Sequence, residues 1–250
     1  MTDRRPLYLI AEQRIVVDFA CPALRVAAAE RAPTIHPLSS LSRVLCRGPV
    51  DWAPGALTAC LEAGVPIVFV AGDGRVQGVL QVSRADVTGL GEYLRCVAES
   101  LDWPARYDNW RRAQQHRLIA RLCSAIGWPH SQPRPEAMRR QLDSALQRRW
   151  ACIPQRLLAP YVPLVRSEVT AELAGAGIDP AMSAGIWAGI NLGEDLTQLA
   201  IWPLRGRLLA AHRPPPAAPV EAIAHYERHL SQPMARTISR LVRYLWRIPL

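Results

Sequence analysis

RVLCRGPVDWAPGALTACLEAGVPIVFVAGDGRVQG, residues 43–78, sets the architecture of the first third of the chain. Its opening residues, within SRVLC (42–46), are short and apolar, as a strand requires. Ala53 to Ala63 reads as a helix, because Pro54 fits the first turn, where no intrahelical N–H is needed, and Gly64 supplies a stop. The run from Val65 to Val82 then gives two apolar strands around Asp73-Gly74, a pair whose backbone freedom suits a tight hairpin.

Upstream, LYLI (7–10), RIVVD (14–18) and ALRVA (23–27) are further short strands separated by polar breaks. After Val82 the pattern changes, and helix-compatible segments follow at about 88–101, 106–126, 135–150, 157–175, 191–210, 219–230 and 234–247. The expected class is therefore α+β: a small β-rich N-terminal domain over 1–84, then an all-α domain over 85–250. WPHSQPRP (128–135) and HRPPPAAP (212–219) read as exposed connectors, since proline interrupts helices and stiffens linkers.

The chain carries 30 basic and 21 acidic residues, a net charge of +9. All the basic residues are arginine, so every cation is a planar fork suited to phosphate. Such a balance points to a polyanionic partner or to a solvated basic surface. The six cysteines are scattered without a CxxC pair, and several lie in apolar runs, which argues against structural zinc and for a reduced, cytoplasmic protein. The opening MTDRRPLYLIAEQR has no secretory pattern, and no stretch approaches the ~20 apolar residues of a membrane span, so no membrane partner is expected.

Ordered segments then carry a family resemblance. LSRVLCRG (41–48) and the run through residue 78, LVRSEVTAELAGAGIDP (164–180), NLGEDLTQLAIWPLR (191–205) and, more weakly, AHYERHL (224–230) together resemble the CRISPR spacer-integrase family, the larger subunit of the machinery that inserts spacers. The resemblance covers most of the chain and is shortened at 128–155. It implies a β-rich N-terminal domain that dimerises, a helical DNA-binding domain, and metal-dependent strand transfer or cleavage at phosphodiesters. It also implies a metal site built from an early Glu, a His beyond the Gly-x-Asp-Pro turn, and acids on the Asp-Leu helix.

The expected ligands are mostly missing. AMSAGIWAGI (181–190), where the imidazole belongs, holds no His, Asp or Glu. Asp195 matches the family acid, Glu194 points about 100° away on a helix, and Gln198 stands where a second acid is expected. Asp195 reads either as a surviving metal ligand or as an acid held by an arginine. Glu136 is the only candidate for the early Glu, yet a Glu just after Pro135 also stabilises a helix start. No cofactor is expected, unless Asp195, Glu194 and Glu136 rebuild a Mg2+ or Mn2+ site; that needs Glu136 and Asp195 within about 8 Å of each other. Glu221, His225 and His229 share a helix face, but HYERH lacks the base of an HExxH motif, and surface decoration is the alternative to a metal site.

Basic faces remain. Arg236, Arg240, Arg243 and Arg247 fall within about 60° of helical arc, opposite Ile238, Leu241, Val242 and Leu245. Arg111, Arg112, Arg117 and Arg121, preceded by Arg106 and interleaved with Tyr107 and Trp110, form a second cluster; Arg139 and Arg140, with Arg148 and Arg149, form a third. DNA phosphate is the expected ligand of all three. The expected function is a DNA-binding CRISPR adaptation protein with impaired catalysis, as a homodimer or paired with a catalytic relative and the small integrase subunit. An active endonuclease rebuilt around Asp195, and a protein-interaction module that kept only the fold, are the alternatives.

Overall fold

Leu41–Arg47 is mostly buried, and it lies in the middle of a sheet. The computed structural model describes residues 4–29, 31–72, 76–81, 89–128, 134–178, 190–216 and 218–248. They form two compact units, Met1–Ala85 and Asp86–Leu250.

Among the described residues the first unit holds eight strands: β1 (Arg5–Ile10), β2 (Ile15–Ala20), β3 (Ala23–Ala28), β4 (Thr34–Pro37), β5 (Leu41–Arg47), β6 (Val50–Trp52), β7 (Ile67–Val70) and β8 (Val76–Leu80). One helix, α1 (Pro54–Glu62), separates β6 from β7. The strands make two four-stranded sheets, ordered β1-β5-β7-β8 and β4-β3-β2-β6. β5 pairs in parallel with both β1 and β7. Flanked on both edges, it buries the apolar run Val44, Leu45 and Cys46 on both of its faces. β7 and β8 pair antiparallel, with Val68 opposite Val79, as a hairpin requires; Asp73 and Gly74, the expected turn, lie outside the described residues. Leu9, Val17, Leu24, Val44, Ala56, Cys60 and Ile67 belong to one core drawn from both sheets and α1. Burial pushes the Cys46 thiol up to about 12 and the Cys60 thiol to about 11, so both pack as small apolar groups. β4 and β6 escape sequence reading because each is short and at a sheet edge.

The second unit is helical: α2 (Leu90–Ala98), α3 (Trp103–Ile126), α4 (Pro135–Trp150), α5 (Pro154–Leu158), α6 (Val162–Gly175), α7 (Leu192–Ala210), α8 (Pro219–His229) and α9 (Ser231–Leu245). The α+β class expected from the sequence is the observed one. The single helix expected over 157–175 is two. Pro160 cannot donate to a continuing helix, whereas Pro163 sits in the first turn of α6, where no donor is needed. Gly177, just past α6, takes φ +77°, the left-handed conformation that closes a helix end, and Ile178 N–H donates back to Leu173.

α7 is the central helix and packs against α3, α4, α6 and α9. It is apolar on most sides, with Leu192, Leu196, Ala200, Trp202, Leu204 and Leu208 buried, as a helix surrounded by others must be. Gly206 lets α3 approach: a Cβ there would lie 2.1 Å from Leu122 Cδ1. None of the described helices is long and apolar enough to cross a membrane.

Candidate functional site

Two polar regions lie along α7, one at its first turn and one in its second half. Asn191 caps the helix by accepting from Glu194 N–H at 3.0 Å. Asp195 follows, and one carboxylate oxygen accepts from the Tyr107 hydroxyl on α3 at 3.0 Å. Tyr107 is buried between Trp103 and Trp110, with ring centroids 5.5 and 5.6 Å away, so its hydroxyl has little choice of partner. Burial raises the Asp195 pKa above the ordinary carboxylate range, against the Tyr107 hydrogen bond and the nearby Arg111 charge, which lower it. Burial, then the charge of Asp195, pushes the Tyr107 hydroxyl far up.

Glu194 points elsewhere, as the helical 100° step requires. One of its oxygens takes Arg166 from α6 at 2.6 Å, and the other takes the Gln198 amide at 2.8 Å. Gln198 thus serves as a donor to the acid one turn before it. Glu136 is exposed in the first turn of α4 and does not join this group. Its neighbour Met138 packs on Cys123, sulfur to sulfur 4.0 Å, while Asp195 binds Tyr107; Cys123 and Tyr107 stand about 24 Å apart along α3. No ion reaches both acids at ligand distances of about 2.0–2.6 Å. Among the described residues, no three His, Cys, Asp or Glu could hold a metal ion together. The segment expected to supply an imidazole, 181–189, lies outside the described residues. His225 is engaged by the Tyr161 hydroxyl, 3.1 Å from its Nδ1, with the His229 ring centroid 5.2 Å away. Asp143 on α4, which the sequence reading passed over, is tied to Arg205 on α7 at 3.1 Å. Nothing local pairs residues so far apart in the chain.

The arginines divide into paired and unpaired sets. Asp108 takes both Arg111, at 2.7 Å, and Arg112, at 2.6 Å, and Asp102 takes Arg106. Arg117 and Arg121 lie on the next turns of α3, exposed, with no carboxylate partner among the described residues. Together with Arg207 of α7 and Arg240 of α9 they border a groove of about 340 Å³, lined also by Gln114 and Tyr244. No acidic residue lines it. Arg207 was missed in the sequence, where it looks like an isolated charge on an apolar helix. The Arg117 guanidinium lies 5.7 Å over the Tyr244 ring and Arg247 lies 4.8 Å from it, which orients both cations.

On α9 and the turn after it, Arg236, Arg240, Arg243 and Arg247 are all exposed, while Ile238, Leu241, Val242 and Leu245 are buried. Arg240 belongs to both this stripe and the groove. Arg139, Arg140, Arg148 and Arg149 are exposed on α4, with Arg149 donating to the Ala211 carbonyl at 2.7 Å.

Residues 8–98 match the family described as CRISPR associated protein Cas1. That segment of the chain, its first unit and the start of its second, is similar to Cas1 proteins. Solved structures resemble it over nearly its whole length. A CAS1 protein from Thermotoga maritima has a TM-score of 0.73 at 12% identity, covering 97% of this chain and 96% of that one. A casposase bound to integration product has a TM-score of 0.64 at 10% identity, covering 97% and 91%. A TtCas1–DNA complex has a TM-score of 0.59 at 14% identity, covering 97% and 90%. At such identities the likeness is one of Cas1 fold. No curated protein matches the sequence.

Proposed function

We propose that this chain is a member of the Cas1 family that serves CRISPR adaptation by holding DNA phosphates on arginine faces of its helical unit, without a working metal centre of its own. The observation that carries the reading is the α9 stripe: four guanidinium groups exposed on one side, with the opposite side buried in the unit. Guanidinium forks at that spacing can follow a phosphate backbone without reading its bases. The DNA-bound relatives of the same fold support the choice of ligand. The donor set at α7 does not fit a divalent ion, because Glu194 is held by Arg166 and Gln198 and Asp195 by Tyr107, with no third ligand beside them among the described residues. In this reading strand transfer in the assembly falls to a catalytic relative, alongside the small integrase subunit.

Duplex affinity measured across a salt series tests the reading. With about four phosphates engaged by the stripe, log affinity should fall against log salt with a slope of roughly −3 to −4. Affinity that ignores salt would sink it, as would Mg2+- or Mn2+-dependent cleavage or integration abolished by Asp195→Ala. Homodimerisation through open sheet edges of the first unit, such as β1 or β8, belongs to the same proposal. A monomer at every concentration in sedimentation would remove that part alone.

A further inference from the structure

The groove between α3, α7 and α9 differs from a phosphate-tracking stripe, because its floor is aliphatic and an amide lines it. Gln114 lines it, is only 4% exposed, and its side chain makes no hydrogen bond with any described residue. The amide is not sealed in the core but is reached from the groove, so a ligand there can pair with it, for about 0.5–1.5 kcal/mol. The amide offers N–H donors beside a carbonyl acceptor, the pattern that pairs with a base edge. The rim is cationic at Arg117, Arg121, Arg207 and Arg240, with Tyr244 orienting Arg117.

We propose that this groove binds one nucleoside phosphate unit, with the base against the aliphatic floor and the Gln114 amide and the phosphate on the arginine rim. Its volume sits at the lower end of the ~300–1,000 Å³ typical of small-molecule sites, which suits a single nucleotide. An acyl chain would satisfy the floor and rim and leave the amide unpaired; inorganic phosphate would satisfy the rim alone. The site is separate from Asp195: its α7 residues, Pro203 to Ala210, lie about 12–22 Å further along the helix. It does not need the chain to hold duplex DNA. The unit can come from a free mononucleotide or from an unpaired residue of a DNA strand.

Calorimetry on the full chain with the four deoxynucleoside 5′-monophosphates, deoxyadenosine, inorganic phosphate, a short single strand and a blunt duplex tests this. At least one mononucleotide should bind saturably, with nucleoside and phosphate each weaker by about tenfold or more. Gln114→Leu should weaken the mononucleotide about tenfold and leave inorganic phosphate unchanged; Arg207→Ala, at an exposed position, should weaken both. If a free nucleotide is the occupant, the mononucleotide binds more tightly than the strand. If the strand is the source, the order reverses and the mononucleotide competes with it. Blunt-duplex affinity should be the same in both variants, so failure here is separable from failure of the stripe. Mononucleotide and single-strand binding that ignore both substitutions in folded protein would overturn the proposal.

Discussion

At the first turn of α7 each carboxylate already has a partner: Tyr107 for Asp195, Arg166 and Gln198 for Glu194. Along the second half of the same helix, Arg207 has no carboxylate partner among the described residues, and the same holds for Arg117, Arg121 and Arg240 around it. A side chain whose bonds are filled from within the fold contributes to stability and has little left for a ligand. One that is exposed and unpaired contributes little to stability and keeps its full charge for an anion. Residue type alone would have ranked Asp195 above Arg207 as a functional group. The partners reverse that ranking.

The largest effect that could break this contrast is on binding. Replacing Arg236, Arg240 and Arg243 together with Ala should lower duplex affinity roughly a hundredfold at moderate salt and flatten the salt slope by about three. Stability should hardly change, and anisotropy with a melting curve reads both.

A smaller effect sharpens the other side. Asp195→Ala removes the acceptor for a buried hydroxyl and should cost about 1–3 kcal/mol, whereas Asp195→Asn keeps an acceptor oxygen. The raised pKa of Asp195 fixes the sign of its pH dependence. Its folded form holds the proton more tightly than the unfolded chain does, so its contribution is complete below the ordinary carboxylate pKa and is lost as pH rises through the raised value. Asp195→Asn should therefore be at least as stable as the parent at neutral pH, with the difference vanishing below about pH 4. Mg2+ or Mn2+ should not move the melting temperature of either protein. A metal-dependent rise in the parent that Asp195→Asn abolishes would make Asp195 a ligand after all.

The smallest effect concerns the two arginines that the sequence grouped with Arg117 and Arg121. Since Asp108 already holds Arg111 and Arg112, changing either to Ala should leave duplex affinity within about twofold. A loss as large as that from Arg121→Ala would mean the pairing gives way to DNA.

The sequence carried what is local. The strand–helix–hairpin over 43–78 followed from Pro54, Gly64 and the Asp-Gly pair, and the α9 stripe from a 3.6-residue period. Gln198 in place of an acid was also legible. What was not legible depends on partners far away in the chain. Tyr107 precedes Asp195 by several helices, Arg205 meets Asp143 only because α4 and α7 pack, and the groove draws on α3, α7 and α9 at once. The split between α5 and α6 was available from Pro160 and Pro163, had their positions been weighed against the apolar period.

The stripe on α9 has a chemical corollary. A guanidinium stays protonated to about pH 12 and beyond, so this face keeps the same charge from mildly acidic to strongly alkaline solution. It has no ε-amine to acylate, and lysine acetylation, a common way of erasing a cationic surface, has no purchase on it. Amine-directed reagents will leave the face unmarked, whereas arginine-selective dicarbonyls should label it, and bound DNA should shield it.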